Sequence, residues 1–351
     1  MFFAFLANFT SSRRSPFLLA FLPLVFVFIF APGGAIGAQN LTMPLTASGT
    51  DLTRVRPSFP SAYFTDFLYT RNAKEASRPY WVETEGETQA QNLPQESLLL
   101  NSDILAFYGH PRSKNMGILG RYTKEELNSK LNDLSAEYQT AGGKNVCKAF
   151  YIIFGTVWPG GDIGIIQESL LKEYIDFALE NNILIFLDHQ IGRFTPADSI
   201  KTMLPWLKYP NVHLALDPEW RTTKPMEEIG AVTADEINQV QQIMENYMIE
   251  NQIPGERLLV IHQFNYRMIS NREKVNGGFS RVRLVHCADG FGNPQIKKAT
   301  YAYNAQAVNM PVKGFKLFYN FGIPGAGYDS PLLTPKEVFD LNPRPYIVMY
   351  Q

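Results

Sequence analysis

The feature that most constrains the fold is a rhythm of short, β-rich apolar runs that begins at residue 104 and continues to the end of the chain. Each run stops at polar or aromatic residues, and there are eight of them: Ile104–His110, Ala149–Trp158, Ile183–Gln190, Val212–Trp220, Arg257–Phe264, Val282–Asp289, Gly314–Phe321 and Tyr346–Gln351. The runs are nearly continuous rather than alternating, which is typical of strands that are buried on both faces.

Helical patterns separate these runs. The first follows Thr123, with Glu126 three residues on, which is the spacing of a capping box. Residues 166–179 repeat apolar side chains at helical spacing, and the later crossovers are weaker. Strands joined by helical crossovers are parallel, and eight such units in about 250 residues are typical of a (β/α)8 barrel of the TIM type. A doubly wound open sheet is the alternative, but no glycine-rich phosphate loop follows the first run.

The barrel is predicted to occupy residues 99–351, without an eighth helix because the chain ends at the eighth run. The N-terminal 38 residues resemble a secretory signal: Arg13 and Arg14 precede the apolar stretch Phe17–Ala31, and small residues suited to cleavage end near Ala38. A retained membrane anchor is the alternative. Residues 39–98 are rich in Thr, Ser, Pro, Gln and Asn, which predicts a polar tether and an arm, part of which is expected to cover the gap left by the eighth helix.

Composition limits the partners. The formal net charge of −1 leaves no surplus of basic residues to neutralise a phosphate backbone, so nucleic acid is not expected. Contact with a membrane is expected only through an uncleaved N-terminus, and the protein is predicted to be exported to the cell envelope, the periplasm or the medium. Cys147 and Cys287 fall at opposite ends of the predicted barrel, so they are expected to be free thiols.

Ionisable and aromatic side chains gather where the runs end, and in barrels of this class catalytic groups lie at the carboxyl ends of strands. The lone exception among the histidines is His213, at the start of its run, which is interpreted as structural. The candidate ligand-binding residues at the predicted rim are His110, Trp158, Asp188, His189, Gln190, Asp217, Glu219, Trp220, His262, Gln263, His286, Asp289, Tyr319 and Asn320.

The most specific element is the segment LALDPEW, in which Asp217 and Glu219 flank Pro218. In an extended segment these two carboxylates point to the same side. Two carboxylates this close do not both ionise easily in a dry site, so one pKa should rise. A protonated acid beside a stabilising carboxylate is what glycosidic cleavage requires. The alternative is a helix N-cap at the strand end, with the acids held by backbone N–H groups.

Several motifs, in order, resemble an uncharacterised family of exported bacterial proteins, many of them lipoproteins. They are YGHP, LDHQIGR, LALDPEW, VIHQF, HCADGFG and the terminal RPxxVxYQ, and they cover roughly residues 100–351. The resemblance implies a secreted barrel domain and brings no activity with it. This chain lacks the lipoprotein cysteine.

More distantly, the Asp-x-Glu at the end of the fourth run is similar to that of chitinase-like and muramidase-like glycoside hydrolases. This similarity implies that Glu219 is the acid and that Asp217 positions the acetamido group of the sugar. The further acids of the chitinase pattern are absent, because Ala215 and Val212 stand in their places.

Three functions follow as hypotheses. The first is a secreted glycosidase-like hydrolase of cell-wall or extracellular polysaccharide, without a cofactor, in which Glu219 is the general acid/base, Asp217 the stabiliser and Asp188 an assisting acid. The second is a hydrolase or phosphodiesterase that uses zinc or manganese, for which the candidate ligands are His110, Glu219, His262 and His286. The third is a non-catalytic barrel that binds an envelope glycan or protein. The side chains of His110, Asp188, Asp217, Glu219, His262 and His286 are expected to converge on one pocket, and both enzyme hypotheses would fail if they were scattered over both ends of the barrel.

Overall fold

A computed structural model describes residues 98–351 of the chain. The predictions of a signal segment at residues 1–38 and of a polar arm lie outside the described residues, apart from residue 98 itself.

Eight parallel strands close into a barrel. They are β1 (Ile104–Gly109), β2 (Cys147–Val157), β3 (Ile183–Gln190), β4 (Val212–Asp217), β5 (Arg257–Gln263), β6 (Val282–Ala288), β7 (Lys313–Leu317) and β8 (Ile347–Tyr350). Each strand pairs with its neighbours in chain order, and β1 pairs with both β2 and β8, which closes the sheet on itself. The predicted (β/α)8 architecture is confirmed.

Helices fill most of the connections. They are α1 (Leu98–Asn101), α2 (Lys124–Thr140), α3 (Glu168–Glu180), α4 (Pro196–Met203), α5 (Ala234–Glu250), α6 (Pro294–Ala305) and α7 (Pro335–Phe339). The capping box predicted at Thr123 and Glu126 is present and begins α2. The crossover from β5 to β6 contains only short 3-10 turns and a two-residue strand, Ile269–Ser270, so the helix expected there is replaced by an irregular segment.

Side chains alternate between two apolar layers along every strand. One layer lies between the strands and the helices and includes Leu127 and Leu131 of α2. The other fills the inside of the barrel and includes Tyr151, Phe186 and Val260. The position of a residue within its strand therefore decides whether its side chain faces the helices or the barrel axis.

The two cysteines lie inside the barrel and are free, as the sequence predicted. His213 is also buried there, where its Nδ1 accepts a hydrogen bond from the Leu258 N–H at 3.1 Å and its ring lies 5.1 Å from that of Phe186, in agreement with a structural role. Within residues 98–351, no helix combines the length and the apolar character needed to cross a bilayer.

Candidate active site

Polar side chains at the carboxyl end of the barrel converge on its axis. Each occupies an inward-facing position on or just after its strand, and each is almost fully buried: Tyr108 on β1, Tyr151 on β2, Asp188 on β3, Asp217 on β4, His262 on β5, Asp289 after β6 and Lys316 on β7. The partly buried Glu219 lies two residues beyond β4. These eight residues are called the axial cluster below.

An ion pair network forms one side of the axial cluster. The Asp289 Oδ2 atom lies 3.2 Å from Lys316 Nζ and 3.1 Å from His262 Nδ1. Asp289 Oδ1 accepts a hydrogen bond from the Gly290 N–H at 2.7 Å. Burial by itself would raise the pKa of Asp289, but Lys316 and His262 hold that pKa well below its usual range. Asp289 is therefore an anion at neutral pH.

The pKa values of the two cationic groups, Lys316 and His262, are raised. Burial lowers the pKa of Lys316, yet the carboxylates of Asp289, Asp217 and Asp188 raise it above its usual value. The ammonium also lies 3.8 Å from the centre of the Tyr108 ring, a cation–π contact. Burial likewise opposes a charge on His262, but its contact with Asp289 raises the imidazole pKa well above the ordinary value.

Two tyrosines extend the network, and one of them joins it to Asp188. The Tyr108 hydroxyl donates to Asp188 Oδ2 at 2.8 Å, and the Tyr151 hydroxyl lies 2.7 Å from His262 Nε2. Burial raises the pKa of both phenols well above 10, so both keep their protons. Burial also raises the pKa of Asp188, whose Oδ1 atom has no hydrogen-bond partner within residues 98–351.

Asp217 and Glu219 stand at the end of β4, where the strand passes into the 3-10 turn Pro218–Trp220. Asp217 Oδ1 accepts the Glu219 N–H at 3.2 Å and so caps this turn, which is part of the capping role considered from the sequence. Burial, with the neighbouring Asp188 and Asp289, raises the pKa of Asp217 to about 7. Burial, with Asp217 and Asp289, raises the pKa of Glu219 to about 8.

The balance of charge explains these values. Four carboxyl groups share the axial cluster with two cationic groups, and Asp289 is the carboxylate that both cations contact. The remaining carboxyls, on Asp188, Asp217 and Glu219, gain less compensation for lost hydration, so their pKa values rise, to about 7 for Asp217 and about 8 for Glu219. The arrangement therefore places carboxylic acids that can release a proton beside one permanent carboxylate.

Two of the predicted rim residues face away from the axis. His286 and Gln263 occupy outward positions on β6 and β5, and His286 Nε2 lies 2.8 Å from Gln263 Oε1. His286 Nδ1 faces the Lys313 ammonium at 3.3 Å. The expectation that His286 joins the pocket is wrong because its neighbours Val285 and Cys287 take the inward positions. It is not placed to share a metal with His262.

The same alternation separates His189 from Asp188 in the LDHQ segment. Asp188 faces the axis, whereas His189 faces outward and lies against Gly155, where an added Cβ would approach the imidazole to 2.9 Å. Burial lowers the pKa of His189 to about 4. Gln190 is buried, and its Oε1 accepts the Val157 N–H at 2.8 Å. Of these three residues only Asp188 joins the axial cluster.

The remaining predicted residues lie on the loops. The His110 Nδ1 atom accepts the Arg112 N–H at 3.1 Å within the loop after β1, and its convergence on the axial cluster stays a prediction. Trp158 is half-exposed after β2, and Trp220 is partly buried beside Glu219.

Two predicted residues follow β7. The Tyr319 ring stacks on Tyr350 at 5.2 Å in the outer layer, and the exposed Asn320 accepts the Gly322 N–H.

Three members of the axial cluster were not among the sequence candidates: Tyr108, Tyr151 and Lys316. A signal existed for Lys316, because a lysine inside an apolar run needs an anionic partner if the run is buried. Tyr108 and Tyr151 gave no such signal, since tyrosines are common in buried strands.

Three members of the axial cluster also suit a metal ion. Asp217, His262 and Asp289 each offer a ligand atom, and these atoms lie within 4.8 Å of one another. One imidazole and two carboxylates are suitable ligands for zinc or manganese. The ammonium of Lys316 already contacts Asp289, however, and the Tyr151 hydroxyl occupies His262 Nε2. A metal would have to replace Lys316 at Asp289, so the donor set fits an ion only in part.

No protein-family model and no curated protein matches the sequence. Solved structures that resemble the chain include an oxaloacetate acetylhydrolase, at 11% identity and a TM-score of 0.41, covering 72% of this chain and 78% of that chain. A 2,3-dimethylmalate lyase of the PEP mutase/isocitrate lyase superfamily is 9% identical, with a TM-score of 0.40, and the match covers 72% of this chain and 76% of that chain. A chitinase from Chromobacterium violaceum is 10% identical, with a TM-score of 0.36, and the match covers 61% of this chain and 68% of that chain. Likeness at this level does not indicate what this chain binds or catalyses.

Proposed function

We propose that this protein is an exported hydrolase that cleaves glycosidic bonds of cell-wall or extracellular polysaccharide by carboxylate acid/base catalysis. The observation that carries the proposal is the pair Asp217 and Glu219, whose pKa values of about 7 and about 8 lie on either side of mildly alkaline pH. Both groups titrate near neutral pH, and the order of their pKa values favours Glu219 as the acid and Asp217 as the carboxylate. This is the division of roles that the reaction needs.

In the proposed reaction Glu219 donates its proton to the glycosidic oxygen, so that the bond from this oxygen to the anomeric carbon breaks. Positive charge then develops on the sugar ring and is stabilised by the carboxylate of Asp217. Water adds to the anomeric carbon, and its proton returns to Glu219. Asp188, which accepts a hydrogen bond from the Tyr108 hydroxyl, assists at the same site.

The proposal is tested with Glu219→Gln, which keeps the size of the side chain and removes its acid. Release of new reducing ends from a panel of neutral polysaccharides should fall at least 100-fold relative to the wild-type chain. Glu180→Gln is the matched control because Glu180 is exposed at the end of α3. A Glu219→Gln protein with normal turnover, or a wild-type protein that cleaves none of the panel, would contradict the proposal.

A metal-dependent hydrolase is the second candidate, and the proximity of the Asp217, His262 and Asp289 ligand atoms favours it. Metal analysis by mass spectrometry of untagged protein prepared without chelator separates the two candidates. Near-stoichiometric zinc or manganese that is lost in His262→Ala would support the second candidate. Activity that survives exhaustive chelation would exclude it.

A further inference from the structure

We propose that the substrate is a neutral glycan chain that lies across the mouth of the barrel, with one sugar on Trp158 and another on Phe291, and that it is cleaved between them. This inference rests on the proposed function and names the class of substrate. It is carried by two exposed aromatic side chains on opposite sides of the mouth, and by the pairing of the charges around one of them.

The first aromatic platform is Trp158, directly after β2. Its side chain is 51% exposed, although tryptophan is largely buried in most proteins. The indole lies on Gly164, where an added Cβ would come within 2.4 Å of Trp158 Nε1. A glycine at this position therefore lets the ring rest on the backbone and leaves apolar surface open to solvent.

The second platform is Phe291, three residues after β6. It is 53% exposed and rests on Gly327, whose added Cβ would approach ring carbon atoms of Phe291 to 2.2 Å. Its ring also makes an edge contact with Phe318, with centroids 6.1 Å apart. Both aromatic residues are thus supported from beneath by a glycine and exposed elsewhere.

Backbone hydrogen bonds fix the loop that carries Trp158. The Arg193 N–H donates to Gly161 O at 2.9 Å, and the Gly160 N–H donates to Thr223 O at 2.9 Å. The Gly192 N–H reaches Trp220 O at 2.9 Å, which links this side of the mouth to the turn that carries Glu219. A platform that is already ordered costs little conformational entropy when a ligand binds.

The two platforms are four strands apart in a barrel of eight, because Trp158 follows β2 and Phe291 follows β6. Asp188, Asp217 and Glu219 come from β3, β4 and the turn after it, on the arc between the platforms. A chain that contacted both rings would therefore pass over Glu219, which is only partly buried, whereas Asp188 and Asp217 lie beneath it. Cleavage would occur inside the chain rather than at its end.

The charges around Trp158 favour a neutral ligand. Arg193 pairs with Asp162 at 2.7 Å, and Lys224 pairs with Glu228 at 3.1 Å. Arg221 is held by Glu236 at 2.7 Å. Cations that are already neutralised offer little attraction to uronic acids or sulfated sugars. The apolar faces of neutral sugars, by contrast, suit aromatic rings.

The test is affinity electrophoresis in gels that contain glycol chitin, hydroxyethyl cellulose or polygalacturonate, with Glu219→Gln as the parent so that no glycan is consumed. We expect retardation by at least one of the two neutral polymers. Adding Trp158→Ala or Phe291→Ala should each weaken that binding about tenfold. Adding Tyr209→Ala, an aromatic change at the opposite end of the barrel, should leave it unchanged, and thermal melts would confirm that each variant is folded.

Three outcomes would overturn the inference: no retardation by either neutral polymer, retardation by polygalacturonate alone, or binding that is as strong without one of the two rings as it is in the Glu219→Gln parent. The result also separates this inference from the proposed function. Binding that depends on both rings, in a protein whose wild type cleaves nothing, would retain the glycan surface and reject the hydrolase. Hydrolysis that needs Glu219 but neither ring would retain the hydrolase and reject the glycan surface.

Discussion

At the scale of single residues, the burial that raises the pKa of Glu219 also makes this side chain a source of instability. The folded chain keeps the proton of Glu219 up to about pH 8, whereas an unfolded chain releases it near pH 4.5. Between these values the unfolded state ionises first, so the free energy of unfolding falls as the pH rises. A loss of folding stability at such a position is typical of active sites.

Glu219→Gln should therefore stabilise the protein in a pH-dependent way. A shift from 4.5 to about 8 corresponds to at most about 5 kcal/mol. Because Asp217 and Glu219 raise each other's pKa, we expect the single substitution to recover about 2 kcal/mol at pH 8 and almost nothing at pH 4. Urea unfolding of both proteins at the two pH values measures this difference.

Glu180→Gln is again the control, because the exposed Glu180 should give the same free energy of unfolding as the wild type at both pH values. If Glu219→Gln were less stable than the wild type at pH 8, the carboxyl group would be held in its ionised form. The assignment of Glu219 as the acid would then fail.

At the scale of elements, a buried lysine on α6 joins the loop after β6, which begins at Asp289, to the end of β7, which carries Lys316. The Lys297 ammonium binds the carbonyl oxygens of Gly290 and Lys316, and it lies 3.4 Å from Asp329 Oδ2. Asp329 in turn accepts the N–H groups of Gly292 and Phe318, each at 3.0 Å. One ion pair thus fixes the ends of β6 and β7 relative to each other, since backbone groups of both loops bind to it.

Lys297→Met should destabilise the protein by about 3 kcal/mol, because it leaves the buried Asp329 carboxylate without its cation. Turnover of any substrate should fall as well, since the backbone that carries Asp289 and Lys316 loses its fixed position. Urea unfolding and steady-state kinetics provide the two measurements.

The neighbouring residue gives a matched control. Lys298 lies on the same helix, but it is exposed and pairs with Glu337 at 3.6 Å, so Lys298→Met should change the free energy of unfolding by less than about 0.5 kcal/mol. Equal effects of the two substitutions would show that α6 tolerates the loss of either cation. The cross-link between the loops would then not contribute to stability.

At the scale of the whole molecule, a closed barrel shields its interior from reagents. Cys147 and Cys287 lie inside, and burial raises the pKa of the Cys147 thiol to about 12 and that of Cys287 above its ordinary value. Both the protonation and the enclosure of these thiols suppress their reactivity.

Both thiols should therefore resist a disulfide reagent such as DTNB in the native protein, and they should react together at the rate of global unfolding. Two equivalents of thiol should appear at once in denaturant, and reducing agent should not alter the melting temperature. Fast labelling of one thiol in the native state, with normal stability, would show that the barrel opens locally near that cysteine.

Much of this fold could be read from local patterns. Nearly continuous apolar runs identified all eight strands, and the capping box at Thr123 located the start of α2. The β5–β6 crossover was the exception among the helical connections. Its segment SNREKV has little apolar periodicity to bury, and the structure forms 3-10 turns there.

The site was only partly predictable, and LDHQ shows why. Proximity to the end of a strand suggested that Asp188, His189 and Gln190 act together. His189 faces the other side because adjacent residues on a strand do so, and the amide oxygen of Gln190 accepts the Val157 N–H instead. His286 was misplaced by the same reasoning. Strict alternation, counted back from the ends of the strands, would have separated the inward Asp188 and His262 from the outward His189 and His286.

The sequence by itself determined the barrel, its eight strands and the positions at which acids end them, because apolar periodicity and capping are local properties of the chain. Only the tertiary structure decided that Lys316, His262 and Asp289 form one network, and that Asp217 and Glu219 hold protons near neutral pH. A pKa depends on burial and on charges that lie far away in sequence. Closure of the barrel also placed Trp158 opposite Phe291, a relation between residues 133 positions apart that no local pattern encodes.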